Sequence, residues 1–224
     1  MITFRRPIAL AALLAAAACQ SKEKPPAAAP AEAPKQTVEG AAADQARIMG
    51  RPTAPIWVVE VSDFQCPFCK MWHDSTYAAL KREYVDAGKV RLAYINFPLG
   101  KHMNAMPAAE AAMCAAAQGR FWQMHDALFD AQAQWETMPD PAPAFESLAA
   151  RSGVDVAKMR ACIKSGVVRP VIEGDLDRAR AAGVSSTPTF IIGGEMIEGA
   201  QPVANFRRAI DAAIAAAPPG PKQP

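Results

Sequence analysis

The chain has 224 residues, 51% of them apolar and 21% charged, with a formal net charge of +2. That length fits one domain with an insertion, and that apolar share can build a core. Arg5 and Arg6 account for the whole positive excess, so no basic stripe remains that would suit nucleic acid.

Residues 1–19 read as an export signal. Arg5 and Arg6 form its basic region, and Ile8 to Ala18 its apolar region. The apolar stretch is too short to span a membrane. Ala16-Ala17-Ala18-Cys19 resembles a bacterial lipoprotein cleavage site, with Cys19 as the lipidated first residue. Ala16 stands where leucine is usual, and ordinary cleavage after Ala-x-Ala is the alternative. Residues 20–45, rich in Ala, Pro, Lys and Glu, show no apolar periodicity and read as a disordered linker. The folded domain is expected over 46–217, followed by a disordered tail at 218–224.

The first strong element is a strand at about 56–61, a near-continuous apolar run that suggests burial on both faces. It leads into Cys66-Pro67-Phe68-Cys69. Pro67 suits the first turn of a helix, which should run to about Ala87 before Gly88 ends it. Val90 to Phe97 is a second strand, closed by Pro98. The stretch of about 103–182 reads as an all-helical insertion. Its helices fall over Ala108–Gln118, around Phe121–Phe129, from Phe145 to Gly153, after the cap residue Asp155, and over about Val168–Ala182. Strands return at Thr189–Ile192 and Glu195–Glu198, joined by the turn pair Gly193-Gly194. A last helix spans Val203 to Ala216. A parallel start and an antiparallel finish imply an α/β fold with a mixed central sheet covered by helices.

Three positions apart at a helix start, Cys66 and Cys69 lie on one face, close enough to bond. Cys66 also faces the free N–H groups and positive dipole end, which favours thiolate over thiol. It is the candidate nucleophile and leaving group. Cys114 and Cys162 form an even remainder that, in an exported chain, points to a structural disulfide; two buried thiols are the alternative. Glu60 falls inside the first strand, where burial should raise its pKa.

These features resemble the DsbA-like branch of the thioredoxin superfamily over roughly residues 50–216. The likeness rests on Asp63-Phe64-Gln65-Cys66-Pro67-Phe68-Cys69-Lys70, on Gly183-Val184-Ser185-Ser186-Thr187-Pro188-Thr189-Phe190, on the helical insertion with Met113-Cys114-Ala115 and Phe121-Trp122, and on Glu60. The resemblance implies a thioredoxin-like fold and a thiol–disulfide oxidoreductase that gives disulfides to exported proteins, without a cofactor or a metal. It implies a cis bond between Thr187 and Pro188, which composition alone would not suggest. Catalysis would rest on Cys66, Cys69 and Glu60, with Glu60 exchanging a proton with Cys69. Pro67, Phe68, Thr187 and Pro188 would bind substrate. Implied partners are client thiols and a quinone-linked membrane oxidase, reached from the periplasm-facing envelope by a lipid-anchored monomer. Phe68 stands where strongly oxidising members carry histidine, so the potential is open. A reductase or isomerase in the same compartment and a Cu(I) chaperone using the cysteines are the rival readings. Lys70 and His73 read as surface residues. His102 and His125 show no shared metal spacing, and Met103, Met106, Met113 and Met124 read as core or adaptable binding surface.

Overall fold

The computed structural model describes residues 38–217. The signal, Cys19, the linker as far as residue 37 and the tail lie outside these residues. A five-stranded mixed sheet forms the centre, in the order β1-β3-β2-β4-β5. β2 (Ile56–Ser62) lies parallel to β3 (Val90–Asn96) on one side and antiparallel to β4 (Thr189–Ile192) on the other. β5 (Glu195–Glu198) and the two-residue β1 (Ile48–Met49) are the antiparallel edges. The β4–β5 hairpin turns on Gly193 and Gly194, both at positive φ, where a Cβ would be strained.

The sheet and the fold class match the sequence expectation; three local features do not. First, the last part of the stretch read as a linker is helical. Val38–Ala46 forms helix α1, whose Ala43 is fully buried in the same cluster as the next long helices. Its run of Ala and Gly carries almost no amphipathic signal, yet small residues let backbones pack closely. Second, the helix after the cysteines is not uniform. α2 (Pro67–Trp72) continues through a π-turn (His73–Tyr77), α3 (Ala78–Leu80) and a second π-turn (Lys81–Val85). Its buried side chains at Cys69, Trp72, Thr76, Leu80 and Tyr84 recur at close to four-residue spacing. An α-helix turns every 3.6 residues, so the wider π-turns keep that stripe facing the sheet. Third, β2 is not buried on both faces throughout. Trp57 is 36% exposed, and the Arg91 guanidinium covers its ring at 4.0 Å.

Between β3 and β4 lie α4 (Ala105–Ala116), α5 (Phe121–Asp130), α6 (Gln132–Trp135), α7 (Ala142–Arg151), α8 (Val156–Ser165) and α9 (Arg169–Ala181). α4 is buried nearly all round, which its alanines make possible. Asp155 caps α8 by accepting from Lys158 N at 3.1 Å, and Gly166 ends it at φ 68°. Cys114 on α4 and Cys162 on α8 are joined in a disulfide across 48 residues. In the chain-entropy view that link contributes roughly 4 kcal/mol. α10 (Val203–Ala216) closes the far side, where Phe206 and Ile210 pack with Trp72, Leu80 and Phe190.

One buried ion pair ties these parts together. Asp175 on α9 is fully buried, and Arg47, just after α1, is 3% exposed. Arg47 Nη2 donates to Asp175 Oδ1 at 2.9 Å, and Arg47 Nη1 also donates to the carbonyl of Tyr94 at 2.8 Å. Asp175 Oδ2 further accepts from Asn96 N at 3.0 Å and Asn96 Nδ2 at 2.9 Å. α1, β3 and α9 therefore meet at one carboxylate.

Candidate active site

Cys66 is the N-cap of α2, with extended backbone (φ −72°, ψ 124°), and Pro67 occupies the first helical turn. The approach to Cys66 is held by side chains from three segments. Asp63 Oδ1 accepts from Gln65 N at 2.8 Å, an Asx-turn that bends the chain out of β2. Asp63 Oδ2 accepts from Leu99 N at 2.9 Å and lies 2.7 Å from His102 Nδ1. Gln132 Nε2 donates to the carbonyls of Phe64 at 2.7 Å and Cys66 at 3.1 Å. Gln65 Oε1 accepts from Asn104 N at 2.6 Å, while Asn104 Nδ2 donates to the carbonyls of Trp135, Glu136 and Met138. The insertion thus clamps the loop that presents the cysteines.

Cys66 and Cys69 are both buried and unbonded. Their environments push them apart. Cys66 falls from an ordinary 9.0 to about 6: a hydrogen bond from Cys69 is the largest cause, outweighing burial, with Thr187 and the backbone N–H groups of Cys69 and Phe68 adding to it. Cys69 is pushed well above the ordinary thiol range by burial, then by its bond to Cys66. One sulfur is therefore a thiolate at neutral pH and the other a thiol. A thiolate on Cys66 stabilises the reduced fold. That contribution is complete above the unfolded value of 9.0 and fades as pH falls through about 6. Alkylation of Cys66 by iodoacetamide is accordingly expected to rise through about pH 6 and level off near neutrality, with Cys69 unreactive. A rate still climbing at pH 9, measured by mass spectrometry of quenched samples, would remove the electrostatic basis of the site.

The Thr187–Pro188 peptide bond is cis and brings its strand end against the cysteines. Cys66 Sγ lies 3.4 Å from the Thr187 carbonyl oxygen. Thr189 Oγ1 donates to Ser186 O at 2.8 Å, and Gly199 N to Pro188 O at 2.7 Å, which holds the loop. Phe68 is 57% exposed beside the pair.

A thioredoxin family profile matches residues 42–212. The chain belongs to the thioredoxin family. Its relatives include disulfide bond formation proteins. It is 31% identical over 153 residues to a probable disulfide bond formation protein D of Bacillus anthracis, covering 66% of this chain and 70% of that one. It is 34% identical over 185 residues to a Na(+)/H(+) antiporter, NhaA 3, of Salinispora tropica. That match covers 81% of this chain but only 27% of the antiporter. The crystal structure of oxidised BdbD from Bacillus subtilis superposes with a TM-score of 0.68 at 21% identity, over 76% of this chain and 93% of that one.

Within this thioredoxin-type site, Cys66, Cys69, Phe68, Thr187 and Pro188 come together. Glu60 sits one layer behind, on the central strand. It is fully buried, both carboxyl oxygens lack a hydrogen-bond partner, and burial pushes its pKa up to about 8. Ser62, two residues along the same strand and on the same face, acts on both Glu60 and Cys69. The Cys114–Cys162 bond lies apart, inside the helical insertion. His73 departs from the surface reading. Its side chain is only 9% exposed, because its ring stacks on Tyr77 at 5.3 Å and on Phe129 at 5.1 Å. Lys70 is paired with Asp74. Met113 and Met124 are core, whereas Met103 is 70% exposed. Among the described residues, His73, His125 and Asp126 place donor atoms within 4.8 Å of one another, as do His73, Asp74 and Asp130, so either set could hold a metal ion. Sequence reasoning missed Ser62, Gln65, Asn104 and Gln132; of these only Asp63-x-Gln65 carried a local signal, that of an Asx-turn.

Proposed function

We propose that this protein is a thiol–disulfide oxidoreductase that introduces disulfides into exported proteins through the Cys66–Cys69 couple. The observation that carries this is the division of the two thiols, one acidic at a helix start and one buried and basic, beside a cis-proline carbonyl. The likeness to a probable disulfide bond formation protein of Bacillus anthracis supports it.

In the oxidised form a client thiolate attacks Cys66 Sγ. The Cys66–Cys69 bond breaks, and Cys69 leaves with its electron pair. Glu60, protonated at neutral pH, supplies the proton that this high-pKa sulfur takes up. A second client thiolate attacks the client sulfur of the mixed disulfide, and Cys66 leaves as a stabilised thiolate. The client loses two electrons, and the protein keeps them as a dithiol. Thr187 and Pro188 hold the client main chain. Phe68, Met71, Met103 and Met138 are exposed apolar side chains on α2 and on the loops clamped to Gln65 and Asn104, and they give an adaptable rim without demanding a sequence.

Export, attachment through Cys19 and reoxidation by a quinone-linked membrane protein complete the reading, with the protein working as a monomer. Among the described residues no helix is long and apolar enough to cross a membrane, so a lipid at Cys19 would be the tether. Two measurements test the direction of exchange: titration of the couple against glutathione, and acid-trapping of its redox state in cells. The expected result is an oxidised steady state and an oxidising potential. A pair found reduced in growing cells would make the protein a reductase instead.

A further inference from the structure

Two of the chain's 3 histidines, far apart in sequence, meet at one carboxylate oxygen. His73 opens the π-turn that follows α2, and His125 and Asp126 are neighbours on α5. His125 Nδ1 is 2.8 Å from Asp126 Oδ1, and His73 Nε2 is 3.6 Å from the same oxygen. The first distance is an ordinary hydrogen bond. The second is not. His73 Nε2 lies beyond hydrogen-bond reach and, buried on a side chain only 9% exposed, has no partner among the described residues. It is aimed into the cluster with nothing to bind it, and a buried polar atom left in that way calls for a reason. A divalent ion would supply one. Metal–nitrogen bonds of about 2.0–2.1 Å in a tetrahedral zinc site set neighbouring donors roughly 3.4 Å apart. The observed 2.8 and 3.6 Å fall on either side of that spacing. Three protein donors leave a fourth position, and Asp126, 48% exposed, opens it to water.

The surroundings support the three donors. His73 Nδ1 faces Asp74 at 3.3 Å, and Lys70 holds that carboxylate in turn. A carboxylate on the far nitrogen of a ligating histidine fixes its tautomer and the direction of its ring. The His125 ring is fully buried among Phe64, Tyr94, Phe121, Trp122 and Phe129, with centroids 5.0 to 6.0 Å away. An apolar shell of this kind limits the access of solvent. The donor types decide the class of ion. Two imidazole nitrogens and one carboxylate suit zinc and its first-row neighbours, whereas calcium and magnesium favour oxygen donors throughout. The second set, His73 with Asp74 and Asp130, has one imidazole and two exposed carboxylates, and exposed acidic groups commonly cluster without an ion.

We propose that His73 Nε2, His125 Nδ1 and Asp126 Oδ1 bind a divalent ion of the zinc class, with water completing the shell. The ion ties the start of the π-turn, one helical turn beyond Cys69, to α5 of the insertion. It braces the cysteine helix against the helices that clamp the active-site loop. Neither Cys66 nor Cys69 is a ligand, so the site stands apart from thiol exchange and does not depend on its direction.

The test uses the full chain with Cys19→Ser and with the Cys66–Cys69 pair oxidised, so that no thiol competes, and Co2+ as a spectroscopic probe. One Co2+ per chain is expected, with visible d–d bands that Zn2+ displaces, and Zn2+ should raise the unfolding temperature. His73→Phe, His125→Phe and Asp126→Asn should each weaken Co2+ binding at least about a hundredfold and remove that rise, while Asp74→Asn, which only orients His73, should cost about 10–100-fold. Asp130→Asn should leave binding almost unchanged. Unfolding curves without metal check that each variant folds, and Asp126→Asn alters a half-exposed group, so it carries the test even where a buried ring substitution fails. No binding by the oxidised chain, or undiminished binding in Asp126→Asn, overturns the site. Binding that survives in His125→Phe but is lost in Asp130→Asn puts the ion on the exposed set and overturns the assignment too.

Discussion

Cys66→Ser is expected to abolish oxidation of a reduced dithiol peptide, a fall on the order of a thousandfold or more, because the covalent route is lost with its nucleophile. The neighbouring substitution should behave differently. Cys69→Ser keeps the acidic helix-start position but removes the sulfur that closes the protein disulfide. Given a client disulfide, that variant should accumulate a mixed disulfide at Cys66, visible as a mass increase equal to one client chain. The buried serine hydroxyl fits where the thiol did, so both variants should keep the fold. Peptide oxidation followed by chromatography, with mass analysis of the trapped species, separates the roles. Full activity in Cys66→Ser, or trapping at Cys69 rather than Cys66, would reverse the assignment of nucleophile and resolving thiol.

Arg47→Ala is expected to cost about 3–5 kcal/mol of stability, the range for breaking a buried ion pair by removing one partner. Asp175 would be left fully buried, with only Asn96 and Arg178 to answer its charge. Asp175→Ala should cost less, since Arg47 keeps Asp44 and the Tyr94 carbonyl as partners and only the Asn96 amides lose theirs. The pair Arg47→Met with Asp175→Leu removes both charges and keeps most of the volume. It should recover much of the loss. Urea unfolding midpoints of the four proteins decide the matter. Single substitutions that cost no more than a surface change, within about 0.5 kcal/mol, would mean that the pair does not pin α1 and α9 to the sheet.

The comparison of these two sites shows what a linear reading can and cannot supply. The Cys66–Cys69 motif, β4, β5 and α10 were legible to the residue, because each is written locally: a spacing, a glycine pair, a helical stripe. The Arg47–Asp175 pair was not. Arg47 stands in a stretch that looks like a lead-in, and Asp175 lies in a charge-rich run that reads as a solvated face. Only the approach of α9 to β3, 79 residues apart at Asn96, gives the carboxylate its meaning. The same holds for Gln132 and Asn104, whose side chains find carbonyls on distant segments. α1 was hidden for another reason, since alanine and glycine give no apolar period even when they pack tightly. His73 was misread because one residue's burial depends on where a π-turn puts the next. The burial of Glu60 was legible, because apolar residues flank it on both sides along the strand.

On the proposed function, the loop at Thr187–Pro188 would hold a client by its main chain, beside the Cys66 sulfur. Such a grip cannot distinguish one sequence from another, but it does distinguish an extended chain from one whose backbone is already committed to its own helices and sheets. A folded client has no free strand to lay there, and its cysteines are out of reach. On the proposed function, selectivity would then be a matter of timing: clients would be met while their chains are still extended and released as each one closes.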